Sequence, residues 1–88
     1  MTVLVDDPVW PAHGRLWAHL VSDESLDELH AFARRNDLPA RAFDRDHYDV
    51  PEESIERLVA DGARRVGGKE LTRRLIASGL RVRGRDRR

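Results

Sequence analysis

The sequence predicts a small single-domain α/β sandwich with three helices and a short, largely parallel sheet of three to five strands. Two observations predict it. Short apolar runs rich in β-branched residues alternate with stretches of about a dozen residues whose apolar positions recur at helical spacing. Three times, at 36–43, 61–66 and 78–82, a helix pattern ends in a turn and feeds a short strand pattern through a few residues, the usual length of an αβ connection. Right-handed crossovers in such a sheet bring the carboxyl ends of the strands to one edge, where open α/β sheets place ligands.

Residues 2–5 form an apolar run stopped by Asp6-Asp7-Pro8, and because the run does not alternate it reads as a strand buried on both faces. Pro8, Pro11 and Gly14 mark a loop that carries Trp10 and His13. Residues 16–21 read as a second strand, with Leu16, Ala18 and Leu20 on one face and Trp17, His19 and Val21 on the other. Ser25-Leu26-Asp27-Glu28 has the pattern of a capping box, in which the serine oxygen accepts the N3 amide and Glu28 reaches back to the cap amide. The helix it opens has an inner stripe of Leu26, Leu29, His30 and Ala33 and should stop near Asn36-Asp37. Residues 40–43 make a short strand. Asp49 is then expected to cap a second helix, with Pro51 in its first turn, Ile55, Leu58 and Val59 as its apolar stripe and Gly62 as its stop. A strand at 64–66, a Gly67-Gly68 turn, a third helix with Leu71, Leu75 and Ile76 inward and a last edge strand at 80–83 complete the domain, 1–83. A frayed basic tail, 84–88, follows.

Length and composition bound the function. Eighty-eight residues make one domain with a modest core. The absence of cysteine excludes disulfides, thiolate metal sites and thiol nucleophiles, and fits a reducing compartment. The apolar run after Met1 is too short for a signal peptide or a membrane span, so the expected location is cytoplasmic, with no membrane partner. The net charge of zero conceals an asymmetry: residues 1–63 carry 14 acidic and 6 basic side chains, residues 64–88 carry 2 and 10. This suits an acidic site beside a basic arm for phosphate, or two surfaces that attract each other within a chain or in a homo-oligomer. Fifteen of the sixteen basic residues are arginine, a bias that codon usage alone explains.

Histidine and aspartate gather in the first fifty residues, where all four histidines lie. Asp6 and Asp7, at the carboxyl end of the first strand, stand where a phosphoryl-processing α/β enzyme holds Mg²⁺ or Mn²⁺, although an acidic turn before Pro8, a common signal, is the favoured explanation. His19 and Asp23 bracket the end of the second strand and, with His30, offer imidazole and carboxylate to a cation such as Zn²⁺; His30 is alternatively a core-edge residue. Asp46-His47-Tyr48-Asp49 is the densest cluster, with His47, or else His30, as the acid/base. Trp10, Tyr48 and Lys69 are candidate substrate contacts: the aromatics as pocket walls, Lys69 beside a glycine turn that also serves simply as a helix cap. Ser25 and Asp49 have structural capping roles.

With those residues in hand, the chain resembles a bacterial and phage family known as domain of unknown function 4031. The resemblance rests on Val-Asp-Asp-Pro-x-Trp at 5–10, Leu-Trp-Ala-His-Leu-Val-Ser-Asp at 16–23, Glu-Leu-His-Ala-Phe-Ala at 28–33, Asp-His-Tyr-Asp-Val at 46–50 and Asp-Gly-Ala at 61–63, and it covers 1–80. It implies a complete domain and no particular activity. The residues themselves leave two expectations. One is a divalent-metal-assisted phosphoester hydrolase for a nucleotide or nucleic acid, with Asp6, His19 and Asp23 as ligands and arginines near Gly67-Gly68 meeting phosphate. The other is a non-catalytic module that binds a protein or polyanion through its acidic face and basic end.

Overall fold

The computed structural model describes residues 2–82. Six strands and three α-helices follow one another as β1 (Val3–Val5), β2 (Trp10–Ala12), β3 (Arg15–Ser22), α1 (Leu26–Arg35), β4 (Phe43–Asp44), β5 (His47–Pro51), α2 (Ile55–Ala60), β6 (Arg64–Arg65) and α3 (Gly68–Ser78), with short 3-10 turns at Ala40–Ala42 and Glu52–Ser54. The chain is therefore a small α/β domain with three helices around one sheet.

The sheet runs β4-β5-β3-β1-β6, with β2 also paired to β3. It is mixed rather than largely parallel: only β1–β6 is parallel, and the other four pairings are antiparallel. The reason is two hairpins that the loop and helix signals concealed. His13 and Gly14, at φ 51° and 76°, form a two-residue turn between β2 and β3, the positive-φ geometry that matches the strand twist. Arg45, at φ 60°, turns β4 back into β5. That second reversal inserts β5 between β3 and β4, so the direct partner of β3 is antiparallel. The strand ends consequently do not share one edge, and the site lies on a face of the sheet instead.

Asp49 corrects a second expectation. It is an interior residue of β5, and α2 begins only at Ile55 with Ser54 at its N-cap position. Pairing with His19 across β3 holds Asp49 extended, and Pro51, without an amide proton, ends the strand. Residues 80–82 are not a strand; the predicted Arg83 end and the 84–88 tail lie outside the described residues. Ser25 does cap α1, accepting the Glu28 amide at 3.1 Å. The Glu28 carboxylate, however, accepts from the Ser22 hydroxyl, whose oxygen in turn accepts the Glu24 and Ser25 amides. α1 ends on Asp37 at φ 58°, with the Leu38 amide bonded back to the Ala33 carbonyl.

The alternation of β3 divides the packing. Ala18 and Leu20 join Val3, Val5, Tyr48 and Val50 beneath α1 and α2, contacting Leu29, Phe32, Ile55 and Leu58. On the reverse face Leu4 and Val21 meet Leu71 and Leu75 of α3, while Ile76, expected inward, is 51% exposed. Leucine and valine side chains buried this completely each contribute about 1.5–3 kcal/mol. α3 covers only part of its face. Strand positions on that face carry His19, His47, Trp10 and Trp17.

Part of the charge asymmetry resolves within the chain. Arg65 pairs with Asp7 at 3.2 Å, Arg74 with Asp23 at 2.5 Å, and Arg81 approaches Asp46 at 3.7 Å, so cations of the last third face acids of the first half. Among the described residues no helix is long and apolar enough to cross a membrane.

Candidate metal centre

Strand register assembles the site. His19 and Asp49 are direct partners on β3 and β5, and His47 lies two residues before Asp49, so strand alternation gives all three the same face. One ligand atom from each of His19, His47 and Asp49 lies within 4.8 Å of the others. Their ring centroids place His19 and His47 edge to face at 5.1 Å.

Each histidine is braced from behind by a buried carboxylate. Asp6, which is 6% exposed, accepts the His19 amide on Oδ1 at 2.7 Å and contacts His19 Nδ1 through Oδ2 at 2.9 Å. Its own amide donates to the His19 carbonyl at 3.2 Å. Asp46, fully buried, takes His47 Nδ1 on Oδ1 at 2.7 Å and the Val82 amide on Oδ2 at 2.8 Å. An ionised carboxylate is acceptor-only, so each Nδ1 must carry the proton. In the neutral rings both Nε2 lone pairs are then free for a ligand, the arrangement that supports metal-bound histidine.

Asp49 supplies the deciding detail. Its Oδ1 is buried and no donor satisfies it, although His47 Nε2 lies only 3.2 Å away. With the proton of neutral His47 held on Nδ1, that approach sets one lone pair against another. A cation between them, either a metal or a second proton on the ring, removes the conflict. The 3.2 Å separation already suits coordination, since tetrahedral ligands about 2.0–2.1 Å from zinc stand about 3.4 Å apart. The donor set of two imidazoles and one carboxylate suits Zn²⁺, Mn²⁺ or Fe²⁺ and leaves positions open for water or substrate.

The contact with Asp6 also sets the protonation of His19. The hydrogen bond that His19 donates to Asp6 raises the His19 pKa above 6.5; burial opposes it, the charges of Asp6 and Asp49 reinforce it, and Arg81 counteracts them. A folded pKa above the unfolded one means that the pair's stabilising contribution is present below about 6.5 and disappears as pH rises through the folded value. Asp6→Asn should therefore lower the His19 pKa in the metal-free protein, read from its imidazole proton shifts by NMR. An unchanged titration would show that Asp6 does not control the ring.

The chain belongs to the family described as Protein of unknown function (DUF4031), whose model matches residues 3–78. No curated protein and no solved structure matches it. The candidate ligands His19, His47 and Asp49, with the bracing Asp6 and Asp46, all lie inside the family match.

The remaining sequence-derived candidates sit elsewhere in this DUF4031 domain. Asp7 pairs with Arg65 on the surface, and Asp23 accepts the Thr2 amide at 2.9 Å beside Arg74, so neither joins the ligand cluster. Asp6 is present but its oxygens face His19, which makes it a positioning residue. His30 binds the Tyr48 hydroxyl at 2.7 Å and packs edge-on to Phe43, while buried Tyr48 belongs to the core beneath α1 and α2. Burial raises the Tyr48 pKa, which keeps the phenol neutral. Strand alternation thus turns the substrate candidate Tyr48 to the core side, and the catalytic candidate His30, on α1, binds it there, apart from the cluster. Lys69 is exposed in the first turn of α3, and Gly67 occupies the N-cap position there. Trp10 does reach the site, its ring parallel to His19 within 4° at a centroid distance of 6.2 Å. Two residues escaped the sequence reading: Asp49 as a ligand, and Arg81, which lines a cleft of about 240 Å³ with His19, His47 and Leu75. The period-2 spacing of His47 and Asp49 was the available signal for the first; Arg81 had none.

Proposed function

We propose that this domain is a divalent-metal-dependent phosphoester hydrolase acting on a nucleotide or nucleic acid. The observation that carries the proposal is the convergence of His19, His47 and the orphaned Asp49 oxygen, with both histidines braced by buried carboxylates. A divalent ion held there would supply Lewis acidity and lower the pKa of a coordinated water toward neutrality. Arg81, on the wall of the same cleft, is placed to neutralise an anionic substrate oxygen. Hydrolysis joins a water oxygen to phosphorus, breaks the bond between phosphorus and the leaving alcohol, and delivers a proton to that alcohol.

The alternative of a non-catalytic binding module draws on the charge asymmetry, but Asp7, Asp23 and Asp46 are already matched with Arg65, Arg74 and Arg81 inside the chain. The test is hydrolysis of bis(para-nitrophenyl) phosphate by metal-stripped protein resupplied with Mn²⁺, Mg²⁺ or Zn²⁺. Turnover should require one of these ions and fall at least about 100-fold in Arg81→Ala if the guanidinium meets the transition state. A protein that binds the ion yet turns over neither this ester nor a nucleotide or oligonucleotide would contradict the hydrolase reading.

A further inference from the structure

A second cleft adjoins the candidate metal centre and no step proposed above uses it. It encloses about 440 Å³ and is walled by Trp10, Trp17, Leu38, Pro39 and Pro51. Asp49 lines it too, so the cleft and the ligand cluster share a residue. Strand register explains the walls: Trp10, Trp17 and Pro51 are consecutive partners across β2, β3 and β5, one step along the strands from His19 and Asp49. The Trp17 indole is fixed by donating Nε1 to the Ala12 carbonyl at 2.8 Å. Trp10 is 44% exposed and stays parallel to His19, so its indole bridges the two places. Arg41 lines the cleft without an ion-pair partner among the described residues.

We infer that this cleft receives one unpaired nucleobase of the substrate, with its phosphate directed toward His19, His47 and Asp49. The phosphate part of the inference rests on the hydrolase reading; base binding does not. Three features select this occupant. The volume lies within the range of small-ligand pockets and is far too small for a duplex. Two tryptophans line it, and indoles are side chains on which bases stack whatever their sequence. Arg41, beside His13 and Asp49 on a mainly apolar wall, adds a guanidinium that can stack on a base or meet a flanking phosphate. A base inside a duplex stack cannot enter, so the preferred substrates are free nucleotides or single strands.

Calorimetric titration of the metal-stripped protein with nucleosides, nucleoside monophosphates, short single-stranded oligonucleotides and the matching duplex tests this directly. Nucleosides should bind without any metal, ribose 5-phosphate should not replace them, and the duplex should bind more weakly than the single strand. Comparison of monophosphate with oligonucleotide tells which source of the base is preferred. Trp10→Ala should weaken nucleoside binding about 5- to 100-fold, the usual effect of losing one stacking aromatic. Ala42→Phe, which places a ring in the cleft without removing a wall, should weaken it as well, and this second variant guards against a folding defect in the first. Nucleoside binding that survives both substitutions in folded protein, or no nucleoside binding at all, overturns the inference. Nucleoside binding in a protein that takes up no divalent ion upholds the base cleft while the hydrolase reading fails by itself.

Discussion

His19→Ala and His47→Ala are each expected to weaken divalent-ion binding by more than about 100-fold, because removal of a ligand should exceed the 10- to 100-fold loss seen when only its supporting partner is removed. Asp49→Ala should do the same. The three residues come from two neighbouring strands and share one face, so loss of any one leaves two donors and an incomplete centre. Asp49→Ala carries a signature that the histidine variants lack. Its Oδ1 is buried without a donor, so removing the carboxylate relieves a desolvation cost and should leave the metal-free fold as stable or slightly more stable. Isothermal titration with Zn²⁺ and Mn²⁺, paired with denaturant melts of the stripped variants, reads both effects. Equal stability losses in all three variants with unchanged ion affinity would make the cluster merely structural.

Asp46→Asn is expected to have the second large effect, and a dual one. Asp46 is fully buried and joins His47 Nδ1, the Val82 amide and, at longer range, the Arg81 guanidinium. An asparagine can accept on only one oxygen, so either His47 or Val82 loses its acceptor in the interior. The expected cost is about 1–3 kcal/mol of stability, the penalty of one buried unpaired group. Ion affinity should fall about 10- to 100-fold as His47 loses control of its tautomer. The acid limb of stability should change too. Burial raises the Asp46 pKa, but the His47 hydrogen bond, the Val82 amide and the charges of His47 and Arg81 outweigh it and hold the folded value below 3.8. A depressed folded pKa contributes stability above the unfolded value that is lost as pH falls through the folded one. Wild type should therefore lose stability at low pH more steeply than Asp46→Asn, measured by denaturant melts between about pH 5 and 2. Parallel curves would contradict this role.

Local signals made part of the fold legible. The β1 run, the alternation of β3 and the Ser25 cap depend on residues a few positions apart, and each was readable. β5 was not. Asp49-Val50-Pro51-Glu52 has the chemistry of a helix start, and only pairing with β3, 30 or more residues earlier, makes it a strand. The same misreading hid part of the direction of the sheet, because β5 pairs antiparallel with both β3 and β4. It also decided the site. Once Asp49 is a strand residue it falls on the His47 face opposite His19, while Tyr48 and His30 pass to the core side. His19 and His47 carried a recognisable composition signal. Which carboxylates ligate and which brace depends on long-range register: Asp6 and Asp46 are used behind the rings, Asp49 in front.

The most direct test of the central claim is a Zn²⁺ titration of the stripped protein followed by NMR of its histidine rings. A metal centre at His19, His47 and Asp49 predicts one saturable ion per chain, with the His19 and His47 Nε2 resonances shifting together while His13 and His30 remain where they were. Ion uptake that leaves His19 and His47 unperturbed, or no uptake at all, would contradict it.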